Sequence, residues 1–305
     1  MTVPNGNYQS SRLDFHRPFS QGVVMRSTRT VSGVSAAVLL AAGTAILLPG
    51  TAEARAASVA CSEGALVAAV TATNAAGGGV ITLAGGCTYN LTSAHAGDLV
   101  NGGDGLPPIT TAITFEGDNN VITRSGSADF RIILVGTTGN LTLKGVTVNN
   151  GSAKGLLGLL PANGGGILNL GALTLTNSAV TNSKASGTGG GVHSGGGAAA
   201  VTFTGSTLSG NTAVGDGGGL YNTATATLTS SFVNGGNKGR RGGGIASVNG
   251  ILTVTSTPVT ANTATSTAGG VYRQSGTMTV TTSPISANTA NNCTSSVPAV
   301  PSCVG

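Results

Sequence analysis

The sequence is poor in charged and aromatic side chains, and these shortages exclude several kinds of protein. Of 305 residues, 8% are charged and 3% are aromatic, and tryptophan is absent. Disordered chains are rich in charge and poor in aliphatic residues, but this chain is 39% hydrophobic and has a mean hydropathy of +0.25. We therefore predict a folded protein, despite 51 glycines, with a narrow core of Val, Ile, Leu, Ala and Thr.

Acidic residues are especially scarce, which limits the sites that the chain can form. Beyond residue 140 the single acid is Asp216. A catalytic pair of carboxylates and a Ca²⁺ site of carboxylate oxygens both need clustered acids, so neither fits within 141–305. The chain also lacks CxxC spacing and a nearby pair of histidines, so no zinc site is predicted and no metal is expected.

The chain does contain a repeated glycine cluster, which is present in five copies. Its first copy opens the stretch GGGILNLGALTLTN at residues 164–177. A phosphate-binding Walker loop would have Lys-Ser/Thr after its glycines, and a dinucleotide-binding fold would have helices, so the clusters are predicted to form turns. The aliphatic residues that end the clusters lie at steps of 25, 28, 25 and 26: Ile167, Val192, Leu220, Ile245 and Val271. After each cluster come a T-x-T segment, a segment such as SAV (178–180) or SPI (283–285), and, in three repeats, NTA at Asn211, Asn262 and Asn288.

Each repeat thus has three short segments with a period of two residues and no room for a helix between them, which predicts a β-solenoid. Stacking the repeats about 4.8 Å apart would pair each strand with its copies above and below, with Leu, Val and Phe inside and Thr outside. Earlier segments at 80–83, 113–117, 121–124, 131–135 and 141–148 look like degenerate coils of the same kind. Residues 62–76 are predicted to form a short helix that caps the first coil, with Ser62 as N-cap and Leu66, Ala69, Val70 and Thr73 on one face.

The N-terminal residues have the order of a secretory signal. A basic run at 25–29 precedes an uncharged apolar run at 31–50 and two small-x-small cleavage sites at 52–54 and 54–56. The apolar run is long enough to span a bilayer, so a retained anchor is the alternative. Residues 1–24 do not fit a signal's short basic start, so Met25 is the expected initiator and an unusually long leader the alternative. We predict a leader and signal region over 1–56 and a domain over 57–305, giving a secreted or cell-surface mature chain without a membrane span.

Cysteine use agrees with export to an oxidising compartment. Cys61 and Cys87 lie 26 residues apart, and Cys293 and Cys303 lie 10 apart. Four cysteines allow three pairings, and the sequence-local pairing would staple an N-terminal cap over about 61–90 and a C-terminal cap over about 291–305. Unpaired buried thiols are the alternative.

The glycine clusters with LTLTN, and the upstream VITLAGGCTYNLT and LTLKGVTV, resemble secreted right-handed parallel β-helix proteins of the pectin-lyase-like superfamily. The repeat is particularly similar to that of polymorphic outer-membrane proteins, and the resemblance covers roughly residues 60–305. It implies an all-β, right-handed parallel β-helix, a scaffold that hosts lyases, hydrolases, adhesins and passive surface proteins alike. Lyases of the superfamily use clustered acids with Ca²⁺ and an Arg base, and its polygalacturonases use Asp residues with a His. Ca²⁺ is therefore expected as a cofactor only if this protein is a lyase.

Candidates for catalysis are few. Asp216 and Arg241 each precede a glycine cluster and lie 25 residues apart, so we expect them to be neighbours on adjacent coils, with a surface ion pair as the alternative. Asp98 and Asp104 flank one polar loop, for which a solvated loop without function is the alternative.

Two features favour the binding of a polymer: a row of aromatic side chains at equivalent repeat positions, and a basic C-terminal half. His193, Tyr221 and Tyr272 each follow the aliphatic residue of their repeat, so they share a register and are candidates for contacting sugar rings. Residues 141–305 carry seven basic side chains against Asp216, which would suit anionic polymers or simply a solvated surface. Aromatic and basic residues do not interleave, so no nucleic-acid partner is expected.

These observations together predict a monomeric, non-catalytic extracellular binding or adhesion protein that contacts polysaccharide. A polysaccharide lyase or glycoside hydrolase is the alternative. Ice binding is a remote alternative, because outward T-x-T pairs resemble the ice-binding face of β-solenoid antifreeze proteins, although threonine also favours strands by itself. The pairs are Thr174/Thr176, Thr202/Thr204, Thr227/Thr229, Thr253/Thr255 and Thr279/Thr281.

Overall fold

The computed structural model describes residues 57–98, 102–155 and 160–304, so the predicted leader over 1–56 lies outside the described residues. The described chain winds into a parallel β-solenoid of about seven turns, which confirms the fold class predicted from the repeat. A complete coil has four faces, one more than the three segments of the repeat. The extra face contains NTA segments, for which the sequence analysis predicted no strand.

The strands of each face are stacked in the same order along the chain. The T-x-T face contains Gly78–Thr82, the first halves of Ala112–Arg124 and Asn140–Asn149, then Ala172–Thr176, Ala200–Thr204, Thr225–Thr229, Ile251–Thr255 and Thr277–Thr281. The second face contains Thr88–Leu91, the second halves of the same two long strands, then Ala179–Thr181, Thr207–Ser209, Phe232–Asn234, Val259–Thr260 and Ile285–Ser286.

The remaining strands form two further faces and one small sheet. The short face contains Ser152–Ala153, Lys184–Ala185, Thr212–Ala213, Lys238–Arg241 and Thr263–Thr267. The glycine face, named for the clusters that precede most of its strands, contains Ile133–Val135, Ile167–Asn169, Val192–Ser194, Leu220–Asn222, Ile245–Val248 and Val271–Gln274. Ala96–Asp98, Gly102–Asp104 and Phe130–Arg131 form the small sheet.

Strands pair in register from coil to coil, so equivalent side chains stack. On the T-x-T face an inward column, at most 6% exposed, joins one apolar core that runs along the solenoid. Alternation places the threonines between these residues on the outer surface. The inward column is Leu141, Leu173, Val201, Ala226, Leu252 and Met278.

The glycine clusters form corners, as predicted. Gly189, the first glycine of its cluster, has a φ of +67°, a left-handed conformation that costs other residues energy. Gly190 has no room for a side chain, because a Cβ there would overlap the backbones of Thr212 and Gly218 on the next coil. The clusters therefore turn the chain and let neighbouring coils approach closely.

Buried amides line the inside of another corner. The Asn211 Nδ2 donates to Asn237 Oδ1 at 3.0 Å, the Asn237 Nδ2 to Asn262 Oδ1 at 2.8 Å, and the Asn262 Nδ2 to Asn288 Oδ1 at 3.1 Å. Asn211, Asn237 and Asn262 are fully buried. The asparagines of the three NTA segments, together with Asn237, thus form a hydrogen-bonded ladder inside the solenoid.

Both ends of the stack are covered. Helix Glu63–Ala75 lies at the N-terminal end, with the Ser62 Oγ accepting from the Ala65 N–H and with Leu66 and Val70 buried, as predicted. Disulfides join Cys61 to Cys87 and Cys293 to Cys303, so the sequence-local pairing is confirmed. Among the described residues, no helix combines the length and the apolar character needed to cross a membrane.

Candidate functional site

A groove runs along the glycine face. Its upstream cleft, of about 430 Å³, is bordered by Asp104 and Arg131, and its downstream cleft, of about 560 Å³, is bordered by Arg240. Asn163 and His193 line both clefts, so the two clefts adjoin, and together they are called the groove. The groove brings together residues that lie more than 100 positions apart in the sequence.

The floor of the groove belongs to a row of outward-facing side chains on the glycine face. These side chains are apolar or aromatic, whereas the outward-facing side chains of the T-x-T face are threonines. The His193 and Tyr221 rings stack, with centroids 5.1 Å apart and planes inclined by 22°. Tyr272 shares their register but is 6% exposed, because the Arg241 guanidinium covers its ring at 4.4 Å. The rings that remain open to the groove, His193 and Tyr221, are called the platform below. The whole outward-facing row is Leu134, Leu168, His193, Tyr221, Ala246 and Tyr272.

Asp216 lies beside the platform and holds two arginines. The Arg240 Nε and Nη2 donate to its two carboxylate oxygens at 3.0 and 3.1 Å, and the Arg241 Nε and Nη2 donate to Oδ2. Arg241 also donates from Nη1 to the Tyr272 hydroxyl at 2.7 Å. The ion pair considered from the sequence is therefore present, with its carboxylate buried at 3% exposure and the Arg240 side chain 55% exposed.

The charges of this cluster do not cancel. Burial favours the neutral acid, but the hydrogen bonds and charges of Arg241 and Arg240 outweigh it and hold the pKa of Asp216 below its ordinary value. Asp216 also raises the pKa of Arg241. Two guanidinium groups therefore face one carboxylate, and the Arg240 side chain, 55% exposed, presents the excess positive charge to the downstream cleft.

Asp104 occupies the opposite end of the groove. It is fully buried and accepts from the Arg131 Nη1 at 2.7 Å, which contrasts with the solvated loop considered from the sequence. Asp98 lies on the strand Ala96–Asp98, antiparallel to Gly102–Asp104, and its side chain falls outside the described residues. Among the described residues the candidate acids therefore do not meet as a pair, since Asp104 and Asp216 each bind their own arginines.

The sequence analysis missed Asn163 and Thr188, two polar residues that line the groove. The position immediately before each glycine cluster gives a column of polar side chains on successive coils, and only two of its members were singled out. Backbone hydrogen bonds link successive corners, such as those from the Gly189 N–H to the Asp216 carbonyl and from the Gly217 N–H to the Arg241 carbonyl. Comparing the repeats at this position, rather than searching for acids, would have found the column. Its members are Asn163, Thr188, Asp216 and Arg241, with Thr267 at the equivalent place in the last repeat, where Ala268 replaces the first glycine.

Within the described part of the chain, no three His, Cys, Asp or Glu side chains lie close enough to hold a metal ion. Comparisons with protein-family models, with curated proteins and with solved structures gave no match. The resemblance to pectin-lyase-like and polymorphic outer-membrane proteins is therefore an expectation from the sequence.

Proposed function

We propose that this protein is an extracellular, non-catalytic binding protein that holds a polysaccharide in the groove of the glycine face. The observation that carries the proposal is the stacked His193–Tyr221 platform, set in line with two clefts. The apolar faces of sugar rings pack well on aromatic rings, and elongated grooves with few polar anchors suit extended ligands. The two disulfides fit a protein of an oxidising compartment.

Arg240 gives the proposed site a preference for acidic chains. Its guanidinium borders the downstream cleft beside Tyr221, and the carboxylate of Asp216 fixes its position. A planar guanidinium pairs well with a carboxylate, so a uronate is favoured over a neutral sugar at this point.

Catalysis is the less favoured alternative for physical reasons. Asp216 is held ionised and neutralised by arginines, so it is neither a proton donor at neutral pH nor a strong base. Arg241 has a raised pKa, because of its bond to Asp216, so its loss of a proton is disfavoured. A lyase or hydrolase would need an acid or base that is not already held in an ion pair of this kind.

Binding is tested by calorimetry and co-sedimentation of the purified, disulfide-intact protein with a polyuronate, its methyl ester and a neutral glucan. We expect the strongest binding to the polyuronate. Tyr221→Ala should weaken binding of all ligands about tenfold, because about 1–2 kcal/mol of ring contact is lost. Arg240→Gln should weaken only the polyuronate and reduce the salt dependence of its binding.

Matched controls change the same groups outside the groove. Phe232→Ala removes an aromatic ring that is 48% exposed on the second face, and Lys144→Gln removes a charge that is 51% exposed on the T-x-T face. Both should bind as the native protein does. Equal losses in these controls, or no binding to any polymer, would contradict the proposal. Release of unsaturated products or reducing ends, abolished in Asp216→Ala, would favour the enzyme instead.

Ice binding is retained as a second candidate because of one further observation. A single outward threonine column extends without interruption over seven coils, two more than the sequence repeat indicated. We expect any ice binding to appear as thermal hysteresis that is lost in Thr227→Tyr and kept in Thr207→Tyr, which changes the second face. Absence of hysteresis in the native protein would dismiss this candidate. The column is Thr114, Thr142, Thr174, Thr202, Thr227, Thr253 and Thr279.

A further inference from the structure

The hydrogen bonds around His193 determine where its imidazole carries its proton. The Thr188 Oγ1 lies 2.8 Å from the His193 Nδ1 and 3.0 Å from the Asn163 Oδ1. The Thr188 backbone N–H donates to the same Asn163 oxygen at 2.9 Å, which identifies that atom as an acceptor. Two oxygens 3.0 Å apart need a hydrogen between them, so the Thr188 hydroxyl donates to Asn163. Thr188 then accepts from His193, which places the imidazole proton on Nδ1.

The imidazole is kept neutral in this arrangement. Burial disfavours its charged form, and Arg131 adds repulsion, so the pKa of His193 falls to about 4. At neutral pH the ring therefore carries one proton, on Nδ1, and Nε2 retains a lone pair. Stacking against Tyr221 restricts rotation of the ring.

The Nε2 atom lies close to Gly195, at a place with no room for a larger residue. A Cβ built on Gly195 would lie 2.9 Å from the His193 Nε2 and 2.7 Å from the Thr223 Oγ1. No described residue donates a hydrogen bond to Nε2, and Thr223 lines the downstream cleft. An acceptor nitrogen and a hydroxyl thus lie together at the edge of the platform.

We propose that Asn163 and Thr188 fix His193 in the Nδ1–H tautomer, so that its Nε2 accepts a hydrogen bond from a hydroxyl of the bound sugar. This inference rests on the proposed function, because it assigns the polar recognition that accompanies ring stacking on the platform. Thr223 supplies the second polar contact, and Asn163 and Thr188 act as positioning residues. The site would then select pyranose rings with a free hydroxyl and discriminate against rings whose hydroxyls are alkylated.

The tautomer is tested first, without ligand, by ¹⁵N NMR of the full chain labelled at histidine. We expect the His193 Nδ1 to be protonated and Nε2 to be unprotonated at pH 7. Thr188→Val should give a mixture of tautomers, because the acceptor of the Nδ1 proton is lost, and Thr188→Ser should restore the native spectrum. An Nε2–H tautomer or a mixture in the native protein would overturn the proposal.

The ligand contact is tested with two probes, methyl β-D-glucuronopyranoside and its 2,3,4-tri-O-methyl ether. The first should shift the Nε2 resonance at millimolar concentration, and the ether should not. Gly195→Ala, whose methyl group would crowd Nε2 and the Thr223 hydroxyl, should abolish the shift, and an unchanged circular dichroism spectrum would show that the fold is retained. Equal shifts from both probes, or none from either, would overturn the proposed contact. If polymers bind but Nε2 does not respond, this inference fails and the proposed function stands; loss of all polymer binding would overturn the proposed function itself.

Discussion

Asn237 shows how single polar residues hold neighbouring coils together. Its side chain is fully buried, yet each of its polar atoms has a partner: Nδ2 donates to the Leu208 carbonyl and to Asn262, and Oδ1 accepts from Asn211. A buried amide is costly when unpaired and stabilising when every bond is made. The column of amides therefore fixes the register of the coils as well as the corner.

Replacing Asn237 with alanine should lower the free energy of unfolding by about 2–4 kcal/mol, because it leaves donors of Asn211 unpaired in the core. Urea unfolding followed by circular dichroism measures this loss. Asn234→Ala is the matched control on the same coil, since the Asn234 side chain is half-buried and the bond that this residue accepts from Asn237 goes to its backbone carbonyl, which alanine retains. Similar losses in both variants would contradict a special role for the ladder.

The sequence indicates that asparagine recurs in the NTA segments but does not show where its side chain points. Asparagine tolerates left-handed turns and also forms buried ladders, and the same spacing fits both. Asn237 lies in NKG rather than NTA, so it was not recognised as part of the series. Only the stacking of coils, which places its amide between Asn211 and Asn262, identifies it.

At the scale of elements, one carboxylate binds the first turn of the capping helix to residues 92–95. Glu63, in the first turn of the helix, accepts from the Thr92 N–H, the Thr92 hydroxyl and the Ser93 N–H, and its Oε1 lies 2.8 Å from the His95 Nε2. Burial opposes ionisation of Glu63, but the hydrogen bonds from Thr92, His95 and Ser93 outweigh it and lower its pKa from 4.5 to about 2. The amphipathic pattern predicted the helix but not this attachment, because residues 92–95 have no repeat register.

A group whose pKa is lower in the folded state stabilises the fold above its unfolded pKa and loses that contribution as the pH falls. For Glu63 the window extends from about pH 4.5 down to about 2. Glu63→Gln should therefore destabilise the protein by about 2 kcal/mol at pH 7, and the difference should vanish near pH 2. Denaturant unfolding at a series of pH values measures it.

Glu116→Gln is the control for this experiment. It removes a carboxylate that is 46% exposed and paired with Lys144, so its cost at pH 7 should be within about 0.5 kcal/mol. A pH-independent difference between the native protein and Glu63→Gln would show that the carboxylate's charge does not stabilise the cap.

At the scale of the whole molecule, the solenoid is a stack in which each coil contacts mainly its neighbours. Such stacks open from their ends, so the caps determine local stability. The C-terminal cap packs Cys293 and Val300 onto the core and pairs Val297 with Gln274. The staple between Cys293 and Cys303 closes this cap.

Replacing Cys293 and Cys303 with serine should raise the rate of amide hydrogen exchange in the last coil, residues 277–286, by at least about tenfold. The first coils should exchange as in the native protein. Replacing Cys61 and Cys87 with serine should give the reverse pattern, with faster exchange near the N-terminal end. Uniform acceleration along the chain in either variant would contradict opening from the ends.

The fold could be predicted from the sequence to a large extent, whereas the site could be predicted only in part. The regular repeat length determines which residues stack on one another. The strands, and the shared register of His193, Tyr221 and Tyr272, could therefore be predicted from the residue spacing alone. The binding of Asp216 by Arg240 as well as Arg241, and the burial of Asp104 against Arg131, depend on how the corners fold over the glycine face. Asp104 and Arg131 lie upstream of the clear repeats, where no period relates their positions.

The close match between successive corners has a consequence for how the molecule changes over evolution. Removing residues 220–244 would join Gly219 to Ile245 and so restore an intact glycine cluster between two coils whose edges already fit. Recombination between repeats of the gene can thus lengthen or shorten the protein in whole coils, each adding about 4.8 Å, while its ends stay capped. If the proposed function holds, the span of polymer that such a protein covers would be set by its number of repeats, and related chains of different lengths would share one groove cross-section.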